Sequence, residues 1–349
     1  MQAETFVVVN YSAARARAAW ALAERVLRES GVRFDAHEAR AAGDAQSAAR
    51  GALRAGYRTI AVVGGDGTLG EVVTGFFEPE GVSTKTHDAN AHARIKAGEK
   101  APAHVTDAET MPARVNEEAV LAVLPGGTGN DFARGLTGER AMLEHWLKRL
   151  IAHGRRDTRT TTVRAVDVLR GTIGDDARPF FCLNAATLGI GAEVAHRVAR
   201  QGNALRRFPG EARFALAAVQ SLARWRARNV SVRVDDDAPF ECATNLIAIA
   251  NSPYAGGGMM FSPAARTDDG LLDVVTACRL TRRTLVREMT RIHSGGHVNN
   301  PQVQITRSRR VRIEHHTDRD ALPVEADGDV RGHTPLEFCT LHAALKVVY

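Results

Sequence analysis

At 349 residues the chain is longer than one ordinary domain and suits two. Hydrophobic residues form 44% of it and charged residues 25%, a balance that excludes wholesale disorder and supports a packed core. The formal net charge of +6 admits nucleic acid, an anionic membrane surface or a phosphorylated substrate as partner and selects none, because much of the excess is Arg in Ala/Arg-rich stretches suited to solvated faces.

Four cysteines, Cys182, Cys242, Cys278 and Cys339, stand far apart with no C-x-x-C pair. Neither zinc nor a thioredoxin-like motif is indicated, and a reducing cytosol fits best. No uninterrupted apolar run approaches the roughly 18–20 residues of a membrane span. The first residues lead into an apolar strand with no basic segment before it. The expectation is a cytoplasmic protein, peripheral to the membrane.

Thr5–Asn10 (TFVVVN) is short, β-branched and apolar, and Arg15–Ser30 has helical composition with Gly31 as its stop. Val32–His37 suits a second strand, Gly43–Ala55 a second helix, and Tyr57–Val63 a buried third strand ending in Gly64-Gly65. Alternation of this kind predicts a parallel sheet flanked by helices. Val72–Phe77 continues a helix, after which Glu80–Glu117 breaks the rhythm with few large apolar residues and reads as an inserted, mobile loop. Ala119–Leu124 resumes the sheet, and Ala141–His153 is helical. Short β-rich runs then follow at Thr160–Leu169, Pro179–Asn184, Val230–Val234, Ala243–Ala250, Leu272–Ala277, Gln302–Ile305 and Arg310–His315. They predict a second, largely antiparallel domain interrupted by one helix, Glu211–Trp225.

Two loops carry chemistry. Gly64-Gly65-Asp66-Gly67-Thr68 lies between a buried strand and a helix, where backbone N–H groups and a helix N-terminus can hold phosphate oxygens. Such a string is equally a tight strand-to-helix turn. Asp66 shifts the balance, since a carboxylate in a phosphate cradle needs a metal ion or a proton transfer to justify it. The second loop, Pro125–Asp131 (PGGTGND), has the same context. Thr128 can donate a hydroxyl hydrogen bond to phosphate, whereas Asn130 and Asp131 are ordinary helix-capping types. Both loops at strand ends of one sheet are more specific than either alone.

With these motifs the chain resembles the diacylglycerol kinase catalytic family, which includes bacterial lipid kinases and sphingosine kinases. The resemblance covers nearly everything outside Glu80–Glu117. It rests also on Val9-Asn10, on Asn251–Pro263 (NSPYAGGGMMFSP), on Asp268–Asp273 (DDGLLD) and on Asp327-Gly328-Asp329. It implies a two-domain lipid kinase fold: a Rossmann-like parallel α/β ATP-binding domain at 1–155, with the insertion at 80–117, and an antiparallel β-sandwich lipid-binding domain at 156–320. A C-terminal segment at 321–349 would return to the first domain. Within that fold Gly64, Gly65, Asp66, Gly67, Thr68, Leu69, Gly70, Gly127, Thr128 and Asn130 would bind ATP, with Asn10 near the nucleotide. Arg266 and Leu271 would give backbone oxygens, and Asp269 a carboxylate, to a structural Mg²⁺, an oxygen set suited to that ion.

Phosphoryl transfer asks mainly for positioning and charge neutralisation, and a carboxylate near the acceptor hydroxyl can take its proton. The catalytic candidates are Asp329, Asp66 and Asp327. Relatives carry D-G-E where this chain has Asp327-Gly328-Asp329, so the acceptor role implied for their Glu falls on the shorter Asp329. D-G is also a plain hairpin turn signal. Tyr11, Ala39 and Gly70 further depart from the Pro, Thr and Asn usual in relatives.

The resemblance implies a lipid alcohol substrate such as diacylglycerol. The helix at Glu211–Trp225 and its flanks offer Phe208, Phe214, Leu216, Leu222 and Trp225 beside Arg206, Arg207, Arg213, Arg224, Arg226 and Arg228, which suits either core packing or contact with anionic headgroups. A homodimer is also expected. The rivals are a soluble kinase like NAD kinase, which shares the G-G-D-G loop, and a non-catalytic nucleotide-binding regulator. Nucleic-acid binding has only net charge behind it.

Overall fold

The computed structural model describes residues 4–13, 15–79, 111–140, 142–157, 159, 162–174, 179–201 and 210–349, without the side chains of 199 and 210–215. Strand β1 (Thr5–Val9) and helix α1 (Ala16–Glu29) open the chain, followed by β2 (Phe34–Glu38), α2 (Asp44–Arg54), β3 (Thr59–Gly64) and α3 (Asp66–Gly75). β4 (Val120–Pro125), α4 (Asp131–Thr137) and α5 (Leu143–Gly154) complete this part. The strands lie parallel in the order β2-β1-β3-β4. Every residue of β3 and of β4 is buried, as the unbroken apolar runs TIAVVG and VLAVLP require of strands covered on both faces. Helix α1 covers them with Ala16, Ala19, Trp20, Ala23 and Leu27, a stripe at helical spacing.

The end of the expected insertion belongs to this sheet's surroundings. The Val115 N–H donates to Phe76 O at 2.9 Å and the Glu78 N–H to Ala113 O at 2.8 Å, so 111–117 is tied to the end of α3 rather than looped out. Residues 80–110 lie outside the described residues.

The second half is built from β5 (Val163–Ile173), β6 (Phe180–Cys182), β7 (Ala185–Gly189), α6 (Ile190–Ala199), α7 (Gly210–Arg224), β8 (Arg228–Val234) and β9 (Phe240–Ala250). Then come β10 (Tyr254–Ala255), β11 (Met259–Met260), β12 (Leu272–Cys278), α8 (Arg282–Arg291), β13 (Val303–Ser308) and β14 (Arg310–His315). β15 (Pro323–Ala326), β16 (Asp329–His333) and β17 (Leu336–Val348) close the chain. All pairings within this half are antiparallel. The fold is thus an N-terminal parallel α/β part followed by an antiparallel β part, as the sequence predicts.

β17 joins the two. It pairs antiparallel with β5 and β14, and parallel with β4 through Val347 and Leu121. One fifteen-stranded sheet therefore runs through the described residues, with a separate hydrophobic core in each half. Phe77 of the first half stacks on Phe181 of the second at 4.3 Å between centroids.

Helix α7 agrees with the expected one to within a residue, but its apolar residues divide. Trp225, just beyond it, is buried, Leu222 is partly buried, and Leu216 is 41% exposed. Arg206, Arg207 and Phe208, and the side chains of Arg213 and Phe214, lie outside the described residues. Helices α6 and α8 escape sequence analysis. So does a disulfide between Cys242 and Cys278, whose Cα atoms are 5.4 Å apart. Antiparallel pairing of β9 with β12 unites cysteines 36 residues apart, so these two do not carry the expectation of a reducing compartment.

Candidate active site

The site starts where the parallel strands end. Gly64 and Pro125 are partners in the register of β3 with β4, so the two glycine loops leave the sheet side by side. The Gly126 N–H donates to Gly64 O at 2.8 Å. A Cβ on Gly127 would lie 2.5 Å from Gly65 Cα, and one on Gly64 would lie 2.8 Å from the Thr68 side chain. Close approach of backbone at Gly127 and of the Thr68 side chain at Gly64 leaves no room for a Cβ. Asn10, at the end of β1, donates its amide to Thr68 Oγ1 at 3.0 Å and accepts the Ser12 N–H on Oδ1 at 3.0 Å. The carboxyl ends of β1, β3 and β4 thus form a crevice of the kind in which parallel α/β sheets bind ligands. Thr128 is exposed in it, whereas Leu69 is 3% exposed and serves the core.

Asp66 has an unanticipated partner set. Its carboxylate accepts the Asp131 and Phe132 N–H groups at 3.1 Å each and the Asn184 Nδ2 amide at 3.0 Å. One loop therefore caps the helix that leaves the other. Asn130, expected as a capping type, has φ 53° and turns its side chain back to Gly127, accepting that N–H at 2.9 Å. Asp131 is 1% exposed and accepts the Gly257 N–H at 2.7 Å, which ties this loop to the N-S-P-Y-A-G-G-G segment. Burial, then the neighbouring Asp66 charge, pushes its carboxyl up to about 6.

The β15–β16 hairpin brings the C-terminal acids onto the first loop. The Cβ position of Gly67 lies 3.3 Å from Asp327 O and 3.8 Å from Asp329 Oδ1, and that of Gly70 lies 3.3 Å from Asp327 Oδ2. Asp327, 4% exposed, accepts the Leu183 and Asn184 N–H groups at 2.6 and 2.9 Å. Burial outweighs those donors and pushes its carboxyl up to about 6. The Asp329 side chain remains 45% exposed beside Arg331, at 3.3 Å. Burial raises its carboxyl above the ordinary range, and Arg331 opposes this. The glycine at position 70 leaves room for Asp327.

Glu325 was missed. Its carboxylate accepts the Gly328 N–H and, at 2.7 Å, the Thr187 hydroxyl, which fixes the turn between Asp327 and Asp329. Burial pushes it up to about 7. An acid just before the D-G-D triplet, in E-A-D-G-D, was the available signal.

The residues expected to hold a structural ion lie elsewhere. Asp269 accepts the Leu271 N–H at 3.1 Å and is paired with Arg307, which also reaches Asp273 at 3.5 Å. Arg266 pairs with Asp268 at 3.1 Å. Among the described residues no three His, Cys, Asp or Glu side chains are grouped to hold a metal. In this loop the Asp269 carboxylate faces an internal guanidinium.

Two touching glycine loops, an acid hairpin lying on them and an antiparallel second half define a two-domain kinase. Residues 4–163 match the diacylglycerol kinase catalytic domain, and residues 186–349 the YegS C-terminal NAD kinase beta sandwich-like domain. A relative from Pseudomonas aeruginosa named "Probable lipid kinase YegS-like" is 30% identical over 335 residues, 95% of this chain and 88% of that protein. A Mycobacterium tuberculosis protein named "Diacylglycerol kinase" is 30% identical over 233 residues, 65% of this chain and 68% of that one. The crystal structure of a diacylglycerol kinase from Bacillus anthracis shares the fold with a TM-score of 0.61 at 18% identity, covering 99% of this chain and 97% of that one. The chain belongs to the diacylglycerol kinase family and is a lipid kinase, a phosphotransferase that uses ATP.

Proposed function

We propose that the enzyme transfers the γ-phosphoryl group of Mg-ATP to the hydroxyl of a lipid alcohol such as diacylglycerol. The observation that carries this is the approach of the Asp329 carboxylate to Gly67, which puts an acid from the C-terminal hairpin against the phosphate loop. Backbone N–H groups of 65–68 and 128–129, with the Thr128 hydroxyl, hold the phosphates of the nucleotide substrate. Asn10 and Thr68, already bonded to each other, shape the floor.

Asp329 is the group exposed enough to meet a lipid hydroxyl and takes its proton as the oxygen attacks. Its raised pKa makes it a better base than an ordinary Asp. Asp327 is enclosed by two backbone donors and positions the hairpin; Asp66 holds the two loops together. The acceptor reaches the crevice from a membrane surface, against which the protein rests peripherally. No described helix is long and apolar enough to cross a membrane.

The test is transfer of labelled γ-phosphate from Mg-ATP to a panel of lipid alcohols in mixed micelles, with NAD as a control acceptor. Label in an extractable lipid product is expected, lowered by about 10²–10⁴-fold in Asp329→Asn with ATP binding retained. A fully active Asp329→Asn removes that residue from the mechanism, and label on NAD alone removes the lipid.

A further inference from the structure

Away from the catalytic loops, α6, the end of α7, the start of β8 and the turn before β15 line an open cavity of about 430 Å³. Five arginines line it, Arg197, Arg224, Arg226, Arg228 and Arg319, against two acids. Both acids are engaged: Glu193 pairs with Arg197 at 2.7 Å, and Asp320 accepts the Asn229 N–H at 3.1 Å and the Thr317 hydroxyl at 2.7 Å. Ser221 and Trp225 also line the cavity, 1% and 6% exposed. The Ser221 hydroxyl, the Trp225 indole N–H and the Arg197 Nε have no hydrogen-bond partner among the described residues. Buried donors are ordinarily paired. The Trp225 indole N–H can only donate, and Arg228 stacks over its ring at 4.5 Å at the edge of this basic hollow.

An acceptor with several oxygens and a negative charge suits the guanidinium groups of Arg224, Arg226 and Arg319 and the unpartnered donors beside them, and a phosphate group has that chemistry. We infer that this cavity is a binding site for the phosphate group of an anionic ligand, carried by a phospholipid headgroup or by a free phosphate. The headgroup is favoured by α7, on which Leu216 and Val219 are 41% and 66% exposed at helix spacing, leading to Arg224 at the cavity. The site is not the catalytic crevice. The four-residue strand β15 stands between Asp320 and Asp327, and α6, bearing Glu193 and Arg197, packs on β15. Its occupation anchors the second half on an anionic surface, and the test needs no turnover.

The full chain is sedimented with phosphatidylcholine vesicles with and without phosphatidylglycerol, and separately titrated with inorganic phosphate while its thermal midpoint is followed. Expected is binding that requires phosphatidylglycerol, weakened about fivefold by Trp225→Phe, which removes one hydrogen bond and no charge. The exposed pair Arg224→Gln and Arg226→Gln should weaken it by about tenfold or more without changing the melt. Should Trp225→Phe unfold, Ser221→Ala removes a second donor in its place. Stabilisation by inorganic phosphate with the same Trp225 dependence, and no vesicle binding, supports the site with free phosphate as its ligand. Binding of neither, or wild-type binding in all variants, overturns the inference.

Discussion

Asp66 could be read from sequence as an acid in a phosphate loop, but its three hydrogen-bond donors come from a second loop and a second domain. Asp66→Ala leaves those donors without an acceptor and is expected to cost about 1–3 kcal/mol of stability as well as activity, read from urea unfolding; an unchanged midpoint would refute the tying role. Glu325 and Asp327 carry a pH prediction. Their folded values of about 7 and about 6 lie above the ordinary carboxyl range near 4, so the folded protein holds the extra protons. Stability from these groups is therefore complete below about pH 4 and is lost as pH rises toward about 7. Glu325→Gln should flatten the slope of the unfolding midpoint across that window, and an unaltered slope would mean that Glu325 does not titrate there.

Elements differ in how well their residues announced them. β3 and β4 were legible because a strand buried on both faces is apolar throughout, and α1 because its apolar stripe recurs at helical spacing. β15 and β16 were not, since short strands broken by D-G look like any turn, and α8 was hidden by its many arginines. The D-D-G-L-L-D loop shows the same limit. The resemblance implies an ion there, and Arg307, on the neighbouring strand β13, meets Asp269 and Asp273 through sheet pairing that spacing cannot reveal. Chelator dialysis of the nucleotide-free protein should accordingly leave its thermal midpoint unchanged, whereas Arg307→Ala should lower it by a few degrees, for about 1 kcal/mol. A chelator-sensitive midpoint would restore the ion.

Over the whole molecule the two halves share one sheet and an interlocked first core. Val166, Val168, Phe181, Leu183, Leu341, Leu345 and Val347, all beyond residue 155, are buried in the core of the N-terminal half. A fragment ending at residue 155 should therefore fail to melt cooperatively, as calorimetry would register; a sharp transition would show that β17 is dispensable. The kinase class was readable from sequence through the family resemblance, whose motifs are local: glycines, a Thr and an Asp stand in order within a few residues of a strand end. The parallel and antiparallel halves were readable for the same reason, since each hydrophobic pattern repeats over one element. Only tertiary structure decided that the returning C-terminal segment pairs with β4, that Asp66 caps a helix from another loop, that Cys242 meets Cys278 and that Ser221 and Trp225 line a basic cavity. Each of these depends on residues far apart in the chain, and sheet register and packing, rather than sequence distance, set which of them touch.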